Sequence, residues 1–479
     1  MPAVDILVIG AGPGGHAAAL KAASLGAKTT ILERGDWGGT CTHRGCIPTK
    51  ALLACSRRYA ELRKLGRMGV RAGETSFDYA AMKRHQEQIV KISGLGVRKS
   101  LQEAGVEMKV GEGRITAPGE VEWRTPEGSL EKLSGRNLIV AWGSEPALPP
   151  GVQPSARILT SDGLLALSSL PESLLIVGGS VIGVEFATLY AELGVRVTLI
   201  EMLDQLLPGE EAEAAALLAR ELKALGVAVH TGVKMERIWE TESQVQLTAL
   251  PAAPGYSGGG GPGAGGGEPA GRNDGAPPIT QPAADLNLSA RYALVCTGRK
   301  PRLQTEQLDA LGIRYDRRGI AVDAGQATNI PGIFAVGDVT GGMMLAHRAA
   351  HQGKMLAEGL CGGRTGAFLR EENIPAVVYT HPQIARVGLT EATARQRGID
   401  LDVHRADFAA NITARTALAG PGFVKLLFAG ERLAGATIAG DQAGELIAPL
   451  SLAMAAGLDR RQLGDWVIPH PTLSEVLAL

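Results

Sequence analysis

The sequence predicts an α/β fold containing two copies of one strand–glycine loop–helix–strand unit, and three observations carry that expectation. Residues 6–9 form a short apolar stretch that runs into GAGPGG (10–15), an Ala-rich segment to about Leu25, and a second apolar stretch, 29–32, ending on Glu33. The same order returns at 174–177, with GGSVIG (178–183), an apolar segment to Leu193, and 197–200 ending on Glu201. Each copy is followed later by a similar phrase, GVEM (105–108) and GVAV (226–229).

Each part of the unit has a physical reason. Short, continuous apolar runs suit strands covered on both faces, and the longer runs after the glycines suit helices. The loop glycines allow the tight turn, the close approach of backbone to a pyrophosphate at the helix N-terminus, and close helix–strand packing; the acid accepts from a ribose hydroxyl. A lone GxGxxG is weak evidence, but here strand, helix and acid all stand in place. Both copies read as Rossmann-like dinucleotide-binding units, and two in one chain imply two nucleotides that exchange electrons. Ser180 occupies the place of the middle glycine of the second loop, where its Cβ is expected to crowd a pyrophosphate although its hydroxyl is able to donate to one. Glu201, with no Arg across 202–207, repels a 2′-phosphate and favours NAD over NADP.

A chain of 479 residues suggests about three domains. Lys plus Arg (48) and Asp plus Glu (49) nearly cancel, so no basic footprint points to nucleic acid or to an anionic membrane surface. No apolar run approaches the ~18 residues of a membrane span. Asp5 interrupts the first apolar stretch and no basic region precedes it, which argues against a signal peptide and for the cytoplasm. Residues 251–285, including GYSGGGGPGAGGGEP, are too poor in apolar side chains to pack. They are expected to be a tolerated surface loop joining strands at 244–250 and 292–296.

Five cysteines are too few and too scattered for a secreted disulfide framework. Cys55, Cys296 and Cys361 have apolar or small neighbours and read as plain buried thiols. Cys41 and Cys46 lie in GGTCTHRGCIPTK (38–50). If Cys46 begins a helix through Lys50, Ala51 and Leu52, one extra turn brings the two sulfurs within disulfide reach. A cytosolic disulfide is usually catalytic. His43, Arg44 and the helix N-terminus are expected to lower a thiol pKa. Spacing alone leaves two unconnected thiols open, and Cys41, His43 and Cys46 are too few for a metal site.

The segment GGTCTHRGCIPTK resembles the redox motif of the dihydrolipoamide dehydrogenase branch of the flavin-dependent disulfide reductases. The resemblance extends to TNIPGIFAVGDV (328–339), MLAHRAAHQG (344–353), YTHPQIARVGLTE (379–391) and HPTLSE (470–475), and covers essentially the whole chain apart from 251–285. It implies FAD and NAD as cofactors and a Cys41–Cys46 redox disulfide, with Cys41 facing substrate and Cys46 facing the flavin. Gly10, Gly12, Gly15 and Glu33 would hold the ADP half of FAD, Gly113 and Gly143 its adenine side, and Asp338 the ribityl chain. Lys50, paired with Glu185, would sit near the flavin, with Leu345, Ala346 and His347 closing the pocket. Gly178, Gly183, Glu201 and Gly298 would hold the nicotinamide nucleotide.

The resemblance further implies a homodimer with a C-terminal α+β dimerisation domain. His470 and Glu475, a proton-transfer pair, would act on the other subunit's disulfide, and the substrate would be a lipoyl-bearing protein or a small dithiol or disulfide. The expected division is 1–147 and 286–350 for the FAD-binding domain, 148–285 for the NAD-binding domain with its insert, and 351–479 for dimerisation. Three positions depart from the family pattern: Ser180, Trp142 in place of a small threonine where the nucleotide domains meet, and Ile468 in place of a second histidine. Alternatives are another NAD(P)H disulfide reductase and a non-catalytic flavoprotein subunit of a larger assembly. Glutathione reduction is disfavoured by the lack of basic residues after Glu201, and mercuric ion reduction by a C-terminus without a cysteine pair.

Overall fold

The computed structural model describes residues 4–71, 73–252, 285–363 and 370–479. The first unit opens with β1 (Val4–Ile9), α1 (Pro13–Ser24) and β2 (Thr29–Glu33). Short α2 (Gly39–His43), α3 (Cys46–Leu62) and the long α4 (Tyr79–Glu103) follow. β3 (Glu107–Val110) then pairs parallel to β2. The meander β4 (Glu112–Ala117), β5 (Glu120–Arg124) and β6 (Leu130–Val140) completes the sheet in the order β3-β2-β1-β6-β5-β4. β6 serves both halves: 130–134 pair antiparallel with β5, and from Gly135 to Val140 the strand runs parallel to β1. Gly135 makes the handover because a Cβ there would stand 2.8 Å from that of Leu7.

After β7 (Ser144–Pro146), β8 (Ile158–Leu159) and α5 (Ser161–Leu165), the unit repeats. It runs β9 (Ser173–Val177), α6 (Val181–Glu192), β10 (Arg196–Ile200), α7 (Ala212–Ala224) and β11 (Ala228–His230). The repeated phrases GVEM and GVAV thus lead into the third parallel strand of each unit. α6 is buried along almost its whole length, which explains its near-continuous apolar sequence.

Strand pairing corrects the expected hairpin around the Gly/Pro-rich segment. β12 (Val233–Glu240), β13 (Val245–Pro251) and β14 (Leu286–Ala290) form their own antiparallel sheet, so the partner of β13 is β14 and not the stretch 292–296. That stretch is β15 (Tyr292–Val295), a parallel member of the second unit's sheet, in the order β11-β10-β9-β15-β8. Most of the expected loop, 253–284, lies outside the described residues. The second unit therefore runs past the expected boundary at 285, because β14 and β15 both belong to it.

The exits of the two units match. β6 ends at Val140 before Ala141-Trp142-Gly143, and β15 ends at Val295 before Cys296-Thr297-Gly298. The segments beyond them pair with each other, β7 antiparallel to β16 (Arg299–Pro301), which stitches the units together. The chain then re-enters the first sheet through strand Ile333–Ala335, parallel to β6. Helix Ala346–Leu360 packs on α1, with Leu356 and Ala357 in one apolar cluster with Ala18, Ala19 and Ala22. That helix belongs to the first unit, so the boundary expected at 350 also moves, to beyond Leu360. The C-terminal region is α+β as expected: a five-stranded antiparallel sheet spanning Ala376–Val378 to Arg432–Gly440, covered by helix Ala443–Ala456.

Two smaller expectations change. Cys296 is buried, but Cys55 and Cys361 are only half-buried. Trp142 does not stand between the nucleotide units. It packs in the first unit's core with Leu32, Val121, Leu308, Ile313 and Ile320, and its buried indole N–H has no hydrogen-bond partner among the described residues. Among the same residues no helix is long and apolar enough to cross a membrane.

Candidate active site

The two glycine loops are built alike. Gly10 has φ +105° and a Cβ there would meet the Ala141 carbonyl at 2.3 Å; Gly178 has φ +114° and the corresponding contact is the Cys296 carbonyl at 2.6 Å. A Cβ on Gly15 or on Gly183 would lie 1.9 Å from the carbonyl oxygen of Gly10 or Gly178, so neither helix could pack on its strand with any other residue. The acids repeat as well. Glu33 accepts from the Ala11 N–H at 2.7 Å and the Gly35 N–H at 2.8 Å; Glu201 accepts from the Gly179 N–H at 2.6 Å and the Leu203 N–H at 2.8 Å. Each carboxylate oxygen keeps a lone pair for a further donor. With open space at the Cβ position of Gly12, before the first helix N-terminus, this arrangement fits the dinucleotide expected at the first loop.

Cys41 lies in α2, and Cys46 is the first residue of α3, exposed. Both are thiols here, joined by a hydrogen bond that Cys41 donates. That bond, with the Lys50 ammonium and the backbone N–H of Cys46 itself, outweighs burial and Glu185 and holds Cys46 down at about 6. The same hydrogen bond, with burial, pushes Cys41 far upward. Lys50 and the start of α3 thus favour the ionised form at Cys46, and burial favours the protonated form at Cys41. The helix start contributes as expected, while His43 and Arg44 are engaged with other partners. His43 Nε2 lies 2.9 Å from the Trp37 carbonyl, and Arg44 lies 3.7 Å from both Asp36 and Asp162.

Lys50 comes one turn after Cys46 and reaches across to α6, where both oxygens of Glu185 accept from it at 2.9 and 2.8 Å. Burial alone would lower the Lys50 ammonium, but Glu185 more than offsets this and the net shift is upward. The Tyr379 N–H donates to Glu185 at 2.9 Å, and the Tyr379 ring lies 4.7 Å from the Lys50 nitrogen. The expected Lys50–Glu185 pair is present, and Tyr379 is an addition that the sequence did not single out. Seven residues on, Glu192 accepts from Ser56 of α3 at 2.6 Å and lies 2.6 Å from His381 Nδ1. Two acids seven apart on an otherwise apolar helix were the available signal, since both fall on one face.

The other expected residues are distributed as follows. Asp338 accepts from Ser144 at 2.5 Å, and Ser144 accepts from Arg299 at 2.8 Å, so an unforeseen Ser144–Arg299 link ties the crossover ribbon to Asp338. Gly143 and Gly298 have φ +73° and +127° with open space at the Cβ position. Gly113 differs: a Cβ there would meet Leu32 at 2.4 Å and Val121 at 3.2 Å, so protein packing is enough to require its glycine. Leu345 precedes helix Ala346–Leu360, which starts at Ala346, and His347 Nε2 lies 2.7 Å from the Pro375 carbonyl. His470 is exposed, with Nδ1 2.8 Å from Glu475, whose other oxygen accepts from the Thr472 N–H at 2.9 Å. That backbone bond, then His470, lowers the Glu475 carboxyl below its ordinary range. No hydrogen bond or ion pair joins His470 or Glu475 to either cysteine of the same chain among the described residues.

Comparison with known proteins agrees with this layout. Residues 4–353 match the pyridine nucleotide-disulphide oxidoreductase family model, and residues 374–479 match that family's dimerisation domain. The dihydrolipoyl dehydrogenase of Chlorobaculum tepidum is 37% identical over 476 residues, covering 99% of this chain and 95% of the relative. That of Geobacillus stearothermophilus is 36% identical, covering 98% and 94%. Among solved structures, LpdA of Mycobacterium tuberculosis superposes with a TM-score of 0.86 at 25% identity, covering 99% of this chain and 98% of that one. The HOCl-induced flavoprotein disulfide reductase RclA of Escherichia coli superposes with a TM-score of 0.80 at 25% identity, covering 99% and 98%. Two repeated nucleotide loops, a cysteine pair between them in sequence and a full-length match place the chain in the pyridine nucleotide-disulphide oxidoreductase family, within which its dihydrolipoyl dehydrogenase relatives use FAD and NAD(H).

Proposed function

We propose that the protein is a dihydrolipoyl dehydrogenase, which oxidises dihydrolipoyl groups through a Cys41–Cys46 disulfide and works as a homodimer in the cytoplasm. The observation that carries this reading is Cys46 at the start of α3, one turn before Lys50, whose ammonium both oxygens of Glu185 hold at 2.9 and 2.8 Å. The first loop, with Gly10, Gly12, Gly15 and Glu33, would hold FAD together with Asp338, Gly143 and the 345–347 turn. The second, with Gly178, Gly183, Glu201 and Gly298, would hold NAD. FAD supplies an acceptor for the electron pair of the reduced cysteines and a hydride donor to NAD⁺.

The remaining chemistry belongs to side chains. In the dimer, His470 of one subunit, oriented by Glu475, takes the proton from one thiol of the substrate. The resulting thiolate attacks Cys41 Sγ of the disulfide, a bond forms between substrate sulfur and Cys41, and Cys46 leaves as a thiolate. Lys50 and the start of α3 stabilise that leaving group. The second substrate thiol, deprotonated in turn, attacks the sulfur already bonded to Cys41. This closes the substrate disulfide and releases Cys41, which takes up the proton. One dithiol is oxidised and one disulfide reduced.

The reading is tested with purified, FAD-loaded protein, dihydrolipoamide and NAD⁺. Coupled formation of NADH is expected. No coupling, with reduction of another disulfide by NADH, would assign the chain to a different reductase; an inert flavin would make it a non-catalytic subunit.

A further inference from the structure

Gly12 and Ser180 are equivalent positions, each the residue just before a twelve-residue helix. Their backbones agree, with φ −66° and ψ 179° at Gly12 and φ −75° and ψ −179° at Ser180, so neither position needs glycine for conformational reasons. They differ in what stands beside the loop. A Cβ at Gly12 would meet no atom within 4 Å, which leaves the first loop open at that point; at Ser180 the Cβ is there. The Ser180 hydroxyl donates to the Cys296 carbonyl at 3.2 Å. Cys296 is itself fixed, its Sγ donating to the carbonyls of Val177 and Gly178 at 3.4 and 3.5 Å.

Resting on the assignment of the second loop to NAD, we propose that Ser180 sets the affinity of that site by keeping the pyrophosphate of the nicotinamide nucleotide farther from the loop backbone. A phosphate oxygen gains most from backbone N–H groups it approaches closely, and the middle glycine of such a loop exists to allow that approach. Ser180 adds the bulk without returning a donor, because its hydroxyl is bonded to Cys296. The two loops hold ligands with opposite requirements: one nucleotide stays through many turnovers, and the other must leave in every one. The CH2OH that Ser180 adds weakens the hold of the second loop on a nucleotide that has to leave in every turnover.

The test is calorimetric titration of NAD⁺ into oxidised, FAD-loaded wild type, Ser180→Gly and Ser180→Ala, with FAD content confirming that each folds. Ser180→Gly is expected to lower the Kd by roughly three- to tenfold, and Ser180→Ala to stay within about twofold of wild type. An unchanged or weaker Kd in Ser180→Gly would overturn the inference. So would markedly weaker binding by Ser180→Ala, since the hydroxyl would then be a phosphate donor. Failure of all three proteins to bind NAD⁺ would instead remove the assignment of the second loop, and this inference with it.

Discussion

Glu185 of α6 grips Lys50 of α3 through both carboxylate oxygens, 2.9 and 2.8 Å from the ammonium nitrogen, one helical turn from Cys46. This contact crosses from the first nucleotide unit to the second, and the backbone of Tyr379 fixes Glu185 from the third. The cation is therefore held by all three parts of the fold at the point where a thiolate must be stabilised.

Lys50→Met should remove that stabilisation. An opposite charge nearby typically moves a titrating group by 1–3 units, so the Cys46 value should rise from about 6 by about one unit or more. The rate of alkylation of the reduced enzyme against pH reads this directly. Glu185→Ala leaves the ammonium without its partner and should destabilise the fold by about 2 kcal/mol. That is less than the loss of a fully buried pair, because part of Lys50 is exposed.

The Cys46 shift also sets a pH dependence for the reduced protein. Its folded value, about 6, lies below the ordinary thiol value of about 8.5. Between these values the unfolded chain binds more protons, so stability rises with pH. The contribution is complete above the ordinary thiol value and is lost as pH falls through 6. Melting temperatures of the dithiol form should show this dependence, and Cys46→Ser should flatten it.

Lys425 joins the second unit to the C-terminal domain, with Glu391 at 2.5 Å, Glu213 at 3.2 Å and Glu211 at 3.8 Å. Lys425→Met leaves three carboxylates facing one another and should cost about 3–5 kcal/mol near neutral pH. Burial already raises the Glu211 carboxyl. With Lys425 gone, a folded value raised further makes the loss grow as pH rises through it and shrink below the ordinary carboxylate range. Thermal melts of the variant and wild type across that range check the sign.

Trp142 should prove to be a core residue and not a nucleotide gate. Trp142→Ala should cost about 3–5 kcal/mol through the cavity it leaves. Trp142→Phe should be close to neutral, because the lost indole N–H has no partner to forfeit. Neither change should alter the NAD⁺ Kd of the folded protein; a change in Trp142→Phe would restore the gating role that the sequence suggested.

Much of this was legible in the sequence because it depends on local rules. Loop glycines, strand-end acids and the start of α3 follow from neighbours along the chain, and all appear where expected. What stayed hidden depends on which segments meet. β14 and β15 are adjacent apolar runs, and nothing local tells that one pairs with β13 and the other with β9. Trp142 lies beside the crossover in sequence, yet its ring turns into the core. Tyr379, His381, Ser56 and Arg299 acquire roles only through partners more than a hundred residues away. His43 and Arg44 show the opposite case: close in sequence to the cysteines, they have partners of their own in Trp37 and Asp36.

In the proposed mechanism Cys41 and Cys46 act as one redox pair, with Cys46 as the flavin-side thiolate. It is tested most directly by Cys46→Ser, purified with FAD and assayed for dihydrolipoamide oxidation coupled to NAD⁺ reduction. Coupled turnover should be abolished while NADH still bleaches the flavin under anaerobic conditions. Retained dihydrolipoamide turnover in that variant would show that the electrons do not pass through Cys46.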